Sequence, residues 1–519
     1  MKRIILLSLV SFGLLAGGCN KTLDVDSTRV VNETNYWRSI EDARAGIMGV
    51  YGLTRAALAD NNGHWIYGDV RMGNFDAPIR QDLKAIIRND LNAQYPVVEE
   101  LSNWRRFYAI VNAANIFLER IPEVRAQDPR YTENNMNVDV AQVRFLRAFA
   151  YFYMVRIWGD VPFIVSSREG TFENQPRTDQ KAILDFVQDE MTAAAAVLPY
   201  RYSAEDIQQP GLYYGVGAGR WDGALVRKAS AWAILAEVAA WQGKYADVST
   251  FATLVINDMN KASLSYITTD ELTRPQGIFY DKKINQLLAF GFIWGHQDAS
   301  FAGNIESLTL AEPVVNKSIP DIFVPKDSIL SIFKETNDAR FNIDTTGITR
   351  SDKYFVNFQG RYPVFSKIKV VQNGSNSPND ANFRLFSSAI LLTRLEEVTL
   401  LRAEAFAVLG ETTRAIEDLN AVRQRRYNVD QMGLVNNNAD QFIRYSEPLH
   451  GSVFEAIFKE RQKEFMGEGH HFYDLVRYHK IKRKDPMWLD LINRGGIYWP
   501  VSRKLLAQNP LLTQNSYWK

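Results

Sequence analysis

The chain of 519 residues carries one cysteine, Cys19, and only six histidines. A lone thiol excludes an internal disulfide and any multi-thiolate metal site. Neither HExxH nor a regular His/Asp/Glu ligand spacing occurs, so no metal centre and no cofactor is expected. A structural Ca²⁺ held by loop oxygens stays open without being predicted. The nucleophile elbow GxSxG, the phosphate-cradling GxxxxGK[ST] and a GxGxxG opening a helix are all missing, which removes the common hydrolase and nucleotide-binding signatures. Gly215, Gly217 and Gly219 are the nearest glycine cluster, but no Lys-Ser follows them and they read as a flexible loop. A net charge of +1 offers neither the basic face of a nucleic-acid binder nor a polybasic membrane anchor. No apolar run approaches the roughly 20 residues that span a bilayer.

What is present begins at the N-terminus. Lys2 and Arg3 precede an apolar run from Ile4 to Leu15, broken only by Ser8, Ser11 and Gly13, and Ala16-Gly17-Gly18 leads into Cys19. Charge, apolar core and small-residue exit make a secretory signal. A cysteine directly after the small residues looks like the lipobox of bacterial lipoproteins, whose thiol is acylated after cleavage, although Ala16 stands where Leu is commoner. Residues 1–18 are then a signal peptide and 19–35 a polar tether. A plain signal with an incidental cysteine is the other reading.

The remainder has ordinary globular composition, 46% hydrophobic and 23% charged, but is rich in rings, with 11 Trp, 23 Tyr and 29 Phe. Apolar spacing predicts helices over Ile40–Ala59, Asn103–Ile121, Val138–Trp158 and Lys181–Leu198. The third stops at Gly159-Asp160-Val161-Pro162. Ala236-Glu237-Val238-Ala239 through Gly243 can be laid over Ala403-Glu404-Ala405-Phe406 through Gly410. In each copy a second amphipathic helix follows, Tyr245–Asn257 and Thr412–Arg426. This is the small-residue helix–turn–helix of tetratricopeptide-type repeats. The predicted fold is mainly α: such helix pairs form a scaffold interrupted by an irregular, loop-rich insert, residues 262–381, with a few short strands. An N-terminal part, 36–225, and a C-terminal part, 226–519, would make one unit.

Three stretches are candidates for chemistry. Asp60 to Asp82 interleaves glycine and Asn/Asp with Trp65, Tyr67 and Phe75, predicting a long loop. Its rings either face a ligand or pin the loop to the core. In Gly291-Phe292-Ile293-Trp294-Gly295-His296 glycines bracket aromatics, predicting an exposed turn, with buried packing as the alternative. Glu460, Glu464 and Glu468 recur every four residues on one helical stripe. Catalytic carboxylates must face each other across a glycosidic bond, so structural ion pairs with Arg461 and Lys463 explain the stripe better. His470 and His471 would point apart on the same helix, which makes a poor metal site.

Taken in order, five segments resemble the SusD/RagB family of outer-membrane nutrient-binding lipoproteins. They are the leader, Phe145-Leu146-Arg147-Ala148-Phe149-Ala150-Tyr151 through Pro162, the run Arg394 to Arg423, the Glu460-Arg461 to Arg477 segment, and Asn509-Pro510-Leu511 through Tyr517. The resemblance implies a tetratricopeptide-type scaffold, a lipid anchor in the outer membrane and a SusC-like TonB-dependent transporter as partner. Asp24 and Asp26, close behind Cys19, loosely resemble the acidic residues that send some lipoproteins to the outer face and so suggest an exterior orientation, with a plain solvated linker as the other reading. It also implies non-catalytic capture of oligosaccharides. A peptide-binding member and a repeat-type protein-interaction scaffold remain the alternatives. Because a sugar's C–H face packs on rings while its hydroxyls bond polar groups, Trp65, Tyr67 and Trp294 are expected as stacking surfaces. Asp69, Arg71, Asn74 and His296 are expected as hydroxyl partners.

Overall fold

Ser39 starts the first long helix, α1 (Ile40–Ala59). Its hydroxyl accepts from the Asp42 N–H while the Asp42 carboxylate accepts from the Ser39 N–H, a capping box that satisfies two otherwise orphaned donors. The computed structural model describes residues 36–167, 173–292, 304–335, 337–372, 385–427 and 444–519. The leader 1–18, Cys19 with the tether 19–35, and also Trp294 and His296, lie outside the described residues. From α1 each helix packs on the next: α2 (Arg105–Gln127), α3 (Glu133–Trp158), α4 (Gln180–Val197), α5 (Lys228–Gln242), α6 (Tyr245–Asn257), α7 (Leu395–Val408) and α8 (Thr412–Arg423). Helix α9 (Val453–Glu464) lies against α7 and α8.

The repeat signature marks real helix pairs. Ala233, Ala236 and Ala240 of α5 share one core with Val248, Ala252 and Val255 of α6 and with Ala405 of α7, so small side chains let the backbones approach. Gly243 and Gly410, the glycines at matching offsets, have φ of 76° and 83° and end the first helix of each pair in the left-handed conformation that glycine adopts without cost. Between the pairs, β1 (Gln286–Phe290) runs antiparallel to β2 (Ile390–Arg394), with Phe290 opposite Ile390. Both strands are buried along their whole length, so neither shows the alternation of a half-exposed strand. The insert thus leaves along β1 and comes back beside it. Within it, Phe355–Val356 pairs with Val364–Phe365.

The Asp60–Asp82 stretch is not an open loop. Asn61 and Asn62 both take positive φ, 52° and 56°, and redirect the chain into a helical segment from Gly63 to Val70. Every residue of that segment is buried. Trp65 and Tyr67 are 2% and 3% exposed. The Tyr67 ring meets the edges of Trp158 and Trp499, and its hydroxyl donates to the Leu101 carbonyl at 2.6 Å. Burial pushes the Asp69 carboxyl up to about 7, against the pull of the Gly469 N–H, and its oxygens accept from the N–H groups of Gly467 and Gly469. Arg71 donates to the carbonyls of Ile497 and Gly496, each at 2.7 Å, with its guanidinium 4.3 Å from the Phe472 ring centre. Asn74 is half-buried and accepts from Gln462. Gly68 sits so close to Gly469 that a Cβ on it would collide with that residue's backbone. The expected stacking rings and hydroxyl partners of this stretch therefore form a strut inside the molecule.

The acidic stripe also differs from expectation. After Glu464 the chain leaves the helix, turns through Gly467 and Gly469 with φ of 80° and 83°, and starts again as α10 (His471–Lys482). Glu468 and His470 therefore lie in the turn. The partners of Glu464 are remote in sequence: Arg340 at 3.0 Å and Arg394 and Arg426 at 2.8 Å, all four side chains 0–1% exposed. Glu468 pairs with Arg394 and Lys367, and Glu460 with Arg340, Arg423 and Lys463. Burial alone would raise the Glu464 carboxyl, but the charges of Arg426 and Arg394 overcome it and hold it well below the ordinary value of 4.5.

Two outcomes are expected. Glu464→Gln leaves three guanidiniums without their shared charge and lowers unfolding stability in urea by about 3–5 kcal/mol. Because the folded carboxyl titrates below its unfolded value, that contribution is present above about pH 4.5 and is lost as acid drives the pH toward the folded value, so the gap between wild type and variant narrows in acid. Gly68→Ala, which forces the strut off Gly469, costs about 1–3 kcal/mol in the same measurement.

Candidate functional site

With its N-terminal aromatic stretch built into the core, the molecule offers a different concavity. A cleft of about 760 Å³ opens where α1 ends; two other clefts among the described residues measure about 340 and 210 Å³. Its floor and walls are apolar: Ala56 and Ala57 of α1, Ile66 of the strut, Ala109 of α2, and Leu83, Val97, Phe292 and Leu308. Its polar lining is Asp60, Asn61, Asn62, Arg80 and Arg106, of which Asn62 is buried. An apolar floor with a few convergent polar groups is the usual form of a small-ligand site.

Local backbone geometry places these groups. The successive left-handed residues Asn61 and Asn62 stop α1 and turn the chain over the cleft. Asn62 is held from behind, its amide donating to the Asn304 carbonyl at 2.9 Å and to the Ser307 hydroxyl at 3.2 Å. Asn61 is exposed, and its amide donates to Asp60 at 3.3 Å. The second turn residue thus anchors the bend while the first presents its carboxamide to solvent.

Asp60 and Arg106 form an ion pair across the mouth, with side chains 46% and 21% exposed. Arg80 donates through Nε to Asp82 at 2.8 Å, and that hydrogen bond raises the guanidinium above its ordinary value. Both arginines are oriented by a carboxylate yet reach solvent, which leaves N–H groups for a ligand oxygen. Phe292 closes one side. Arg55 donates to the Gly291 carbonyl at 2.9 Å and lies 5.0 Å from the Phe292 ring centre, fixing the start of the glycine-bracketed aromatic stretch beside α1.

Asp60 is the one carboxylate among the described cleft residues, so they contain no facing acid pair of the glycosidase kind. Apart from the cleft, Glu237, Glu397 and His470 are the described residues whose donor atoms cluster as metal ligands do, all within 4.8 Å of one another. Each of the two carboxylates is already paired with a guanidinium, Glu237 with Arg156 and Glu397 with Arg461.

The sequence candidates separate accordingly. Trp65, Tyr67, Asp69 and Arg71 are buried in the strut, Asn74 is tied to α9 through Gln462, and Trp294 and His296 lie outside the described residues. Asp60, Asn61, Arg80, Arg106 and Phe292 were not among them. The adjacent asparagines were the available signal, since Asn tolerates positive φ better than most residues.

Comparison with known proteins places this architecture. A family model described as "SusD family" matches residues 356–486, and one described as "Starch-binding associating with outer membrane" matches residues 75–210. SusD-like protein P38 of Formosa agariphila is 26% identical, over 99% of this chain and 98% of its own. B. fragilis NanU shares the fold with a TM-score of 0.67, at 18% identity over 95% of this chain and 100% of its own. A SusD superfamily structure from Bacteroides thetaiotaomicron is 42% identical, covers 93% of this chain and 99% of its own, and superposes with a TM-score of 0.82. Carried across nearly the whole length of both chains, that identity means that the chain belongs to the SusD family.

Proposed function

We propose that the protein is a cell-surface lipoprotein of the outer membrane that captures oligosaccharides in the cleft beside Asp60, Arg106 and Phe292. It then passes them uncleaved to a SusC-like TonB-dependent transporter. The cleft carries this reading: an apolar floor suits the C–H face of a sugar ring, and two carboxylate-oriented guanidiniums with the Asn61 carboxamide suit its hydroxyls. The family description "Starch-binding associating with outer membrane", attached to residues 75–210, supports both ligand class and location. Among the described residues no helix is long and apolar enough to cross a membrane, so attachment falls to the acyl chains expected on Cys19. Several acyl chains on one residue would hold firmly, whereas a single chain binds reversibly. Transfer to the transporter requires release of an unchanged ligand, and a cleft with one ion-paired carboxylate suits binding without bond cleavage.

Native electrophoresis of the purified protein through gels containing a panel of neutral and charged polysaccharides tests the reading. Retardation by at least one glycan is expected, with no rise in reducing ends on prolonged incubation. Arg106→Ala removes a charged hydrogen-bond donor, an interaction of about 1.5–3 kcal/mol, and should weaken that retardation at least about tenfold while the helical circular dichroism is kept. Release of sugar products, or no retardation by any glycan, would overturn the function. Unchanged affinity in both Arg106→Ala and Phe292→Ala would place the site elsewhere.

A further inference from the structure

Behind the helix pairs lies a buried charged cluster that ligand binding does not use. Glu237 comes from α5 and Glu397 from α7, with donor atoms of both and of His470 within 4.8 Å of one another. Arg156 of α3 reaches Glu237 at 3.1 Å, and Arg461 of α9 reaches Glu397 at 3.0 Å. Asp474 of α10 bonds Arg461 and Arg477, and Arg477 in turn bonds Glu404 of α7. The cluster therefore holds four carboxyl groups, Glu237, Glu397, Glu404 and Asp474, against three guanidiniums, Arg156, Arg461 and Arg477. The other groups facing it are the imidazoles of His470, His64 and His471, held neutral by burial at about 3, about 4 and about 4, and the phenols of Tyr153, Tyr245 and Tyr473. Glu468 is engaged by Arg394 and Lys367, and the Lys480 ammonium lies over the Trp241 ring. Within the bonded set itself, carboxyls outnumber guanidiniums by one.

The leftover charge has an address. Glu237 Oε1 is buried without a hydrogen-bond partner, in a side chain only 9% exposed. A bare carboxylate oxygen there would be costly. Both oxygens of Glu397 already accept, one from Arg461 and the other from the Thr393 hydroxyl at 3.2 Å. A divalent cation would overshoot neutrality and compete with three guanidiniums, whereas one proton balances the cluster. We propose that the side-by-side carboxyls of Glu237 and Glu397 carry one proton for the pair, and that this proton is the pin that lets α5 and α7 bring the two groups together.

The pin is pH-sensitive. Burial, followed by the neighbouring Glu397 charge, raises Glu237 from 4.5 to about 8, and burial also raises Glu397. With the folded value above the unfolded one, the stabilisation is complete below about pH 4.5 and is lost as the pH rises through about 8. The scaffold is held tightest in a mildly acidic medium and loosens as the medium turns alkaline.

Infrared titration of the whole protein, with Glu237→Gln and Glu397→Gln beside it, tests this. Subtracting the spectrum of either variant that folds from that of the native protein should leave a protonated-carboxyl carbonyl band that disappears with a midpoint near pH 8 and shifts in heavy water, while the contributions of Asp69 and Glu306, raised to about 7, cancel. In urea denaturation, the folding constant of the native protein relative to Glu237→Gln should fall about tenfold per pH unit between about pH 5 and pH 8. If neither variant folds, the native titration decides. Absence of a band titrating near pH 8 overturns the shared proton. So does a rise in Tm on adding Zn²⁺ or Ca²⁺ that Glu237→Gln abolishes, because the cluster would then be a metal site.

Discussion

The structure depends on a carboxylate with no access to water. Glu464 is 0% exposed and meets Arg340, Arg394 and Arg426, residues that come from the insert, from the end of β2 and from just beyond α8. Glu460, Glu468, Asp338, Glu396 and Glu335 add five more acids, and Arg423, Lys367 and Lys463 three more bases, in one connected set of ion pairs. Six negative groups thus face six positive ones. Desolvating such groups costs several kcal/mol each, and only near-complete pairing repays it. The cluster consequently penalises any packing of the helix pairs that leaves a member alone, and so selects one packing.

From Glu468 the same turn runs on to the strut. Gly467 and Gly469 donate their N–H groups to Asp69. His64 Nε2 lies 3.0 Å from the Glu468 carbonyl oxygen, while Nδ1 lies 2.8 Å from the Tyr153 hydroxyl. A carbonyl can only accept, so Nε2 carries the proton and Nδ1 accepts from the tyrosine. Ile66, two residues before the close contact of Gly68 with Gly469, lines the cleft. The rear of the cleft is therefore fixed by the ion-paired core, while its rim, Asp60, Asn61 and Arg80, stands in solvent.

Much of the scaffold was legible because it is local. The α1 and α6 boundaries follow from apolar spacing and caps, and the alanine-rich pairs with their terminal glycines announce close helix packing. What lay hidden is long-range. Spacing of three and four residues suggested that Glu460 and Glu464 pair along their own helix, yet the main partners of Glu464 lie 38 to 124 residues away. Nor does glycine mixed with rings reveal whether it opens a loop or lets two backbones touch. At Gly68 it does the second, and Trp65 and Tyr67 are buried as a result. The candidate stretches Asp60–Asp82 and Gly291–His296 do reach the cleft, but through Asp60, Arg80 and Phe292 and not through the rings and polar groups expected, and Arg106 joins them from α2, a convergence no single stretch encodes.

The distribution of acids bears on the difference between holding a sugar and cutting it. A general acid must be a carboxyl kept protonated near neutral pH at a place a substrate can reach. Carboxyls of that kind exist here: burial raises Asp69 and Glu306 to about 7 and Glu237 to about 8. Asp69 and Glu306 are 2% and 0% exposed, and each of the three is engaged with groups of the protein itself. The carboxylate that does reach the cleft, Asp60, is nearly half exposed and paired with Arg106. Among the described residues the proton-holding acids are sealed in the core and the open one is charge-paired. That division of labour is what the proposed capture of sugar without cleavage would require of the cleft.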